Sequence, residues 1–305
     1  MAIRKYWGEL GLFLVVCCSL MVAAAVAEGG NTAKEQLTKL TEKQFDQLRD
    51  QARRGDPGAE AALAVAYEEG IHVQQDLAEA IHWYRKAALK DNVEVQHHLG
   101  MLYEQGRGVA QSFVQAAEWY QKAAALGYVP AQCNLGNLYQ AGKGVPRDLE
   151  QAAKWYEVAA RQGNAQAQSN LGYVHQYGQG VIRDQQLAVF WYTKAAEQGF
   201  AIAQANLGVM YMLGQGVQAD EAEAIRWFEK AAAQGSSRAL VNEARIYMSG
   251  KSTPRDYSLA YKLLLRAVAS GESAAEPFLK QCHELLQGNP PQETQTATAA
   301  GGTQR

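Results

Sequence analysis

Six segments of the chain align with one another at a spacing of 36 residues and without insertions. One glycine recurs in every segment, as Gly70, Gly106, Gly142, Gly178, Gly214 and Gly250. A tryptophan recurs in the first five, as Trp83, Trp119, Trp155, Trp191 and Trp227. Self-similarity at a period of about 20–50 residues is the signature of a repeat protein, in which each unit packs on its neighbours.

The second segment shows why each unit is expected to form two helices. Val95, Leu99 and Leu102 lie at positions i, i+4 and i+7, which share one face of a helix. Gly106 ends that helix because glycine adopts left-handed backbone angles freely. Ser112, which is Asp in the other five segments, is a good N-cap for a second helix. When the six segments are aligned, the residues that share a position form a column. These columns predict an all-α solenoid of six helix pairs over residues 59–272, with the tryptophans in its core.

The residues on either side of the repeats are expected to close the stack. Residues 28–58 are assigned to a linker and a polar N-terminal capping helix, in which Thr41 and Gln44 form a capping box. Residues 273–286 resemble a first helix without a partner and are assigned to a C-terminal cap. Residues 287–305 have no apolar periodicity and are expected to be a disordered tail.

The N-terminal segment has the features of an export signal. Arg4 and Lys5 precede a stretch without charged residues over 10–27, which ends in Ala25-Val26-Ala27. Small residues at these positions favour cleavage before Glu28, so residues 1–27 are interpreted as a signal peptide. The alternative is an uncleaved anchor helix of the same residues, since about 18 apolar residues approach the length of a membrane span. The protein is expected to be exported, to the periplasm or the medium if it is bacterial.

Charge and cysteine content exclude some classes of protein. The formal net charge of −2 offers no basic face for nucleic acid, which is therefore not an expected partner. After signal cleavage the chain keeps only Cys133 and Cys282, too few for a disulfide framework. They lie in the third repeat and in the closing helix, so we expect two free, buried thiols.

The third segment resembles a known repeat. Leu135 to Val145, followed by Asp148 and Trp155, is similar to the Sel-1-like repeat, a relative of the tetratricopeptide repeat. The resemblance implies a right-handed α/α superhelix, and exported members of that family typically act as adaptors in cell-envelope assembly, signalling or host contact. A cysteine-rich branch is linked to penicillin binding, but its paired cysteines are missing here. The sequence also departs from the pattern at His175.

Candidate catalytic and metal-binding residues are few. His97 and His98 are adjacent on a helix and point about 100° apart, which does not suit one metal ion. The aspartates that recur at the 36-residue period are explained as N-caps. We therefore expect no enzyme, no cofactor and no metal site. The alternative function is an envelope hydrolase or a penicillin-binding, β-lactamase-like protein on the same solenoid.

A variable stripe on the first helices is the candidate binding surface. It is polar in the early repeats and becomes aromatic and aliphatic in the fourth and fifth, at Tyr173, Tyr177, Ile202, Val209, Met212 and Leu213. Such a surface binds helices or extended peptides, so a protein or peptide partner is predicted for a monomeric scaffold. The alternative is that curvature of the solenoid buries the stripe between neighbouring first helices.

A column of asparagines is a second candidate surface. Asn134, Asn170 and Asn206 recur at the 36-residue period on the first helices. Their amides have donors and acceptors for a peptide backbone, but such ladders more often bridge neighbouring repeats. The structural interpretation is favoured.

Overall fold

The structure, a computed structural model, describes residues 31–288 and is helical in that range apart from the connecting loops. It contains fifteen α-helices there, numbered in chain order: α1 Asn31–Thr38, α2 Glu42–Arg53, α3 Pro57–Glu69, α4 Leu77–Ala88, α5 Val93–Gln105, α6 Phe113–Ala125, α7 Val129–Ala141, α8 Leu149–Arg161, α9 Ala165–Tyr177, α10 Gln185–Glu197, α11 Ala201–Leu213, α12 Glu221–Ala233, α13 Ser237–Ser249, α14 Tyr257–Ala269 and α15 Glu276–Gly288. A short 3-10 helix, Ser273–Ala275, precedes α15. The expected signal peptide at 1–27 and residues 289–305 of the expected tail lie outside the described residues.

Helix boundaries follow the capping residues of the repeat. In the second repeat, the Ser112 hydroxyl accepts a hydrogen bond from the backbone N–H of Gln115 at 3.3 Å. The aspartates in the same column cap α4, α8, α10, α12 and α14 in the same way. Gly106 follows α5 with a φ of 69°, in the left-handed region that favours glycine. The predicted helix pairs and their caps are therefore confirmed.

The chain divides into two compact units. The first contains the described residues up to Ala167 together with Gln179–Ile182, and the second contains Gln168–Gly178 together with the described residues from Arg183 onward. Within each unit, consecutive helices pack against each other, as α5 does with α6 and α11 does with α12. The fold is the expected all-α arrangement of stacked helix pairs.

The N-terminal residues contain one helix more than the sequence predicted. Thr41 and Gln44 form the predicted capping box at the start of α2. The preceding residues, assigned to a linker, form α1, whose Ala33 and Leu37 are fully buried. These two apolar side chains are spaced i and i+4, so one face of α1 packs on α3. The linker assignment was wrong for this segment because so short an apolar pattern is weak evidence of a helix.

The tyrosine after each tryptophan forms the centre of the core. Tyr84, Tyr120, Tyr156 and Tyr192, with Phe228 in the fifth repeat, are at most 1% exposed. A glycine on the first helix faces each of the last four rings, and a Cβ at Gly172 would lie 2.7 Å from the ring of Tyr192. Trp83 and Trp227 are buried, whereas Trp119, Trp155 and Trp191 are only partly buried. The predicted core position is therefore confirmed for Trp83 and Trp227. Trp119 and Trp155 pack against the core from its margin, because the neighbouring tyrosine fills the space under the glycine.

The loop inside each helix pair approaches the preceding repeat closely. Gly144 has a φ of 70°, and a Cβ on it would lie 2.1 Å from the carbonyl oxygen of Phe113 at the start of α6. Gly180 and Gly216 meet the preceding second helix in the same way. No side chain fits at this contact, which fixes the distance between successive repeats.

Both thiols behave as the sequence predicted. Cys133 and Cys282 are free and buried. Burial raises the pKa of the Cys133 thiol to about 12, so this cysteine is protonated at neutral pH.

Candidate binding groove

The variable stripe lies on α9 and α11, within the second unit. Tyr173 and Tyr177 are 39% and 58% exposed, and Ile202 and Leu213 are 62% and 54% exposed. Val209 is half-buried, and Ala205, which lies between these residues in the stripe, is buried. The stripe is therefore partly covered at its centre and open along its edges.

Helix geometry brings the two tyrosines of the stripe together. Tyr173 and Tyr177 are four residues apart on α9, and their ring centroids lie 4.7 Å from each other. Burial raises the pKa of the Tyr192 hydroxyl, and the two nearby phenols raise it by a smaller amount. The aromatic pair therefore lies directly beside the buried core of the fourth repeat.

A ladder of hydrogen bonds, absent from the sequence predictions, links the buried tyrosines to the first helices. The hydroxyl of Tyr84 donates to Glu68 at 2.6 Å and that of Tyr120 donates to Glu104 at 2.6 Å. In the third and fourth repeats the acceptors are Gln140 for Tyr156 and Gln176 for Tyr192, both at 2.9 Å. Each acceptor precedes its tyrosine by 16 residues.

The ladder explains one member of the predicted stripe. The fifth repeat has Phe228 in the tyrosine column and Met212 in the acceptor column. Met212 is half-buried and packs against the core cluster that contains Phe228. A methionine suits this position because a phenylalanine has no hydroxyl group to satisfy. The side chain of Met212 thus belongs partly to the core and partly to the exposed stripe, which forms the candidate binding groove.

The asparagine column makes contacts within the chain. Asn134 hydrogen-bonds through its side-chain nitrogen to Nε2 of His97 at 3.1 Å and also hydrogen-bonds to Tyr120. Asn206 hydrogen-bonds to Tyr192 of the preceding repeat. Asn170 is half-buried. These contacts join neighbouring repeats and leave less of each amide for a ligand.

His97 and His98 make contacts within the fold. Burial and, to a smaller extent, the neighbouring His98 lower the pKa of His97 to about 4, so His97 is neutral at physiological pH. His98 hydrogen-bonds to the carboxylate of Glu68 at 3.0 Å. Burial alone would raise the pKa of Glu68, but His98, Tyr84 and Arg107 together lower it. Between residues 31 and 288, no three His, Cys, Asp or Glu side chains form a group that could hold a metal ion.

A cleft continues the surface at the C-terminal end of the second unit. Gln281 and Leu285 of α15 lie 36 residues after Arg245 and Ser249 of α13, so α15 occupies the register of a further first helix. The cleft between α11, α13 and α15 has a volume of about 360 Å³. Its apolar lining consists of Met212, Leu213, Ile246, Met248, Phe278 and Leu285. Its polar lining consists of Glu221, Arg245, Ser249, Lys251 and Gln281.

Glu243 departs from its column inside the core. The five preceding repeats have leucine at this position, as Leu63, Leu99, Leu135, Leu171 and Leu207. Glu243 is 5% exposed. Burial and, to a smaller extent, Glu229 raise its pKa to about 7, against the opposing effect of Arg266. The aligned repeats could have predicted this buried carboxyl group, since Glu243 is the one charged member of a leucine column.

No helix within residues 31–288 has both the length and the apolar character that a membrane span requires. The apolar stretch at 10–27 is outside this range.

Comparisons with known proteins agree with the repeat. The family model of the Sel1 repeat matches residues 57–92, 93–128, 129–164, 165–200, 201–236 and 237–272. The chain is similar to a crystal structure of a protective antigen present in uropathogenic Escherichia coli strains, which displays an SLR fold. The sequences are 32% identical, the TM-score is 0.75, and the match covers 88% of this chain and 57% of the antigen. The chain thus spans little more than half of the antigen's length.

A second structure, a Sel1 repeat protein from Oxalobacter formigenes, is 27% identical with a TM-score of 0.66, and the match covers 81% of this chain and 96% of that protein. No curated protein sequence matched the chain significantly. The six matches to the family model run without a gap from residue 57 to residue 272. Stacked helix pairs of this type present extended binding surfaces, which supports an interaction scaffold as the class of function. The chain belongs to the Sel1 repeat family.

Proposed function

We propose that this protein is an exported interaction scaffold that binds a protein or peptide partner along the first-helix face of its second unit. The partner-contacting residues are Tyr173, Tyr177, Ile202, Val209 and Leu213, with Met212 at the margin of the core. Asn170 and Asn206 of the same unit contribute secondary contacts where their amides face the partner, whereas Asn134 belongs to the first unit.

One observation carries this proposal. Four large apolar side chains, Tyr173, Tyr177, Ile202 and Leu213, are exposed on two successive first helices. The second repeat has Met101 in the column of Tyr173, but Glu94 and Gln105 in the columns of Ile202 and Leu213. The fold therefore does not require this apolar surface. Contiguous apolar and aromatic surface of this kind supports a role in partner binding, because such side chains provide most of the energy of an interface.

Export is supported by the sequence at the N-terminus. The uncharged stretch at 10–27 ends in small residues immediately before Glu28. The similar Escherichia coli protein is described as a protective antigen. We propose the periplasm, the cell surface or the medium as the place of action, with residues 1–27 removed.

Site-specific photo-crosslinking in the native host tests the proposal. A photoreactive amino acid replaces Tyr177 or Leu213 in the groove, or Phe190 as the control. Phe190 is 48% exposed and lies on the second helix α10 of the same unit, so it matches the exposure of the groove residues but not their position. We expect one crosslinked partner from both groove positions and none from Phe190. Equal crosslinking at all three positions would contradict the groove.

A further inference from the structure

The cleft between α11, α13 and α15 differs from the rest of the groove because it combines apolar walls with positive charge. We propose that this cleft is a specificity pocket for an acidic peptide segment, holding one large apolar side chain while Arg245 and Lys251 bind a neighbouring carboxylate. This inference rests on the proposed function, since it names the chemistry of the partner that the groove binds.

The apolar part of the cleft is large enough for an anchoring side chain. Its volume of about 360 Å³ falls in the range of about 300–1,000 Å³ that is typical of small-ligand pockets. The side chains that line it include Met212, Leu213, Met248, Phe278 and Leu285. Methionine side chains adapt their shape to different partners, so the pocket suits a class of aromatic and aliphatic anchors.

The positive charge of the cleft is available for a partner. Among residues 31–288, neither Arg245 nor Lys251 forms an ion pair with a carboxylate. Glu221, the carboxylate that also lines the cleft, accepts hydrogen bonds from two backbone N–H groups of the loop after α13, at 2.9 and 3.0 Å. The guanidinium carbon of Arg245 lies 5.5 Å from the centre of the Phe278 ring, which holds the planar group at the cleft.

The position of Arg245 in the repeat supports a role outside folding. The five preceding residues of its column are Val65, Met101, Asn137, Tyr173 and Val209, so the stack forms without a cation there. An arginine beside an aromatic ring, at the edge of an apolar pocket, is suited to bidentate binding of a carboxylate. Arg245 is exposed, and its Nη1 donates a hydrogen bond to Oδ1 of Asn242 at 3.4 Å. Its other N–H groups remain for a carboxylate of the partner, which favours an acidic segment.

Selection of peptides from a random twelve-residue library tests the pocket. Parallel selections use the mature chain, residues 28–305, and four variants of it. Two variants are double changes, Arg245→Gln with Lys251→Gln and Tyr173→Ser with Tyr177→Ser, and two are single changes, Met248→Ser and Arg226→Gln. Arg226 is the matched control, because it is an exposed arginine on the second helix α12 and pairs with Glu223 at 3.1 Å. The best peptide is then resynthesised with a fluorescent label, and its affinity is measured for every variant.

We expect the unchanged protein to enrich peptides that have Asp or Glu next to an aromatic or large aliphatic residue. The double change at 245 and 251 should weaken binding of the best peptide at least about tenfold and remove the acidic preference, while Arg226→Gln leaves both unchanged. Enrichment of apolar peptides without acidic residues, with loss of binding only in the Tyr173 and Tyr177 variant, would overturn the pocket but leave the proposed groove standing. If no groove variant changed the selection, the groove itself would be wrong.

Two further measurements distinguish other occupants of the cleft. Sedimentation of the mature chain shows whether a second copy fills it, and peptide binding with and without residues 289–305 shows whether the chain's own C-terminal segment does. A dimer that Arg245→Gln dissociates, or peptide binding that appears only after truncation at residue 288, would replace the acidic partner by one of these occupants.

Discussion

The hydroxyl group of Tyr192 donates a hydrogen bond to Oε1 of Gln176 at 2.9 Å, although the two residues are 16 positions apart in the sequence. The same relationship joins the buried tyrosine and its acceptor in the three preceding repeats. In the fifth repeat both partners change together, to Phe228 and Met212. A buried hydroxyl requires an acceptor, so the two columns have to change as a pair.

This pairing predicts a double-mutant cycle in the fifth repeat. Phe228→Tyr places a hydroxyl beside Met212 and should lower the free energy of unfolding by about 1–3 kcal/mol, the cost of an unsatisfied buried group. Met212→Gln alone also destabilises the protein, because Phe228 has no hydroxyl group to donate a hydrogen bond to the new amide oxygen. The double variant should recover about 1 kcal/mol or more relative to the sum of the single changes. Urea denaturation of the four proteins measures this coupling, and strictly additive changes would contradict the pairing.

The core tyrosine should matter more for stability than the conspicuous tryptophan beside it. Tyr192 is fully buried, so Tyr192→Ala should cost about 3–5 kcal/mol. Trp191 is only partly buried, and Trp191→Ala should cost about 2 kcal/mol, because part of its ring already faces water. Thermal and urea melts of both variants provide the comparison. A larger loss for Trp191→Ala would restore the tryptophan to the centre of the core.

The close approach at the repeat loop predicts a difference between two glycines that share the same backbone region. Gly144 has a φ of 70° and faces the Phe113 carbonyl, whereas Gly163 has a φ of 90° and no atom within 4 Å of an added Cβ. Gly163→Ala should cost about 1–2 kcal/mol from backbone strain alone. Gly144→Ala adds a steric clash and should cost several kcal/mol in total, measured by urea denaturation. Equal losses would mean that the contact relaxes freely.

Glu243 should make stability depend on pH. Its folded pKa of about 7 lies above the value of about 4.3 expected in the unfolded chain, so the folded protein holds this proton more tightly. The stability that the protonated group contributes is complete below about pH 4 and is lost as the pH rises through 7. Glu243→Leu restores the leucine of the other repeats and removes the ionisation.

The difference in unfolding free energy between the Glu243→Leu variant and the original protein isolates this group, since other titrations cancel. We expect the difference to grow in favour of the variant by about 2–3 kcal/mol between pH 5 and pH 8, at about 1.36 kcal/mol per pKa unit. Urea midpoints at four pH values measure it. A difference that stays constant with pH would show that Glu243 titrates normally.

Much of the fold can be predicted from the sequence because each helix boundary depends on a local residue. Gly106 and Ser112, for example, determine the end of one helix and the start of the next by backbone angle and by capping. Helix α1 was missed because Ala33 and Leu37 are too few to define an apolar face. The covarying pair of Met212 and Phe228 is present in the aligned columns, but its meaning depends on knowing that the two side chains lie together.

The candidate groove was harder to predict for a different physical reason. The columns identify Tyr177 and Leu213 as unnecessary for the helix pair, but exposure depends on how neighbouring first helices converge. Ala205 belongs to the same stripe and is buried, whereas Ile202, one turn earlier, is largely exposed. The charged cleft involves α15, so its composition could not be read from any single repeat.

The most direct test of the groove is the affinity of the crosslinked partner for three variants of the mature protein. The pair Tyr173→Ser and Tyr177→Ser, and the single change Leu213→Ser, remove exposed anchors, while Phe190→Ser removes a similarly exposed side chain from α10. All three should stay within about 1 kcal/mol of the original stability, as is usual for surface positions. Titration calorimetry should show affinity at least about tenfold weaker for both groove variants and unchanged for Phe190→Ser. Unchanged affinity in both groove variants, or a larger loss for Phe190→Ser, would contradict binding along the first-helix face.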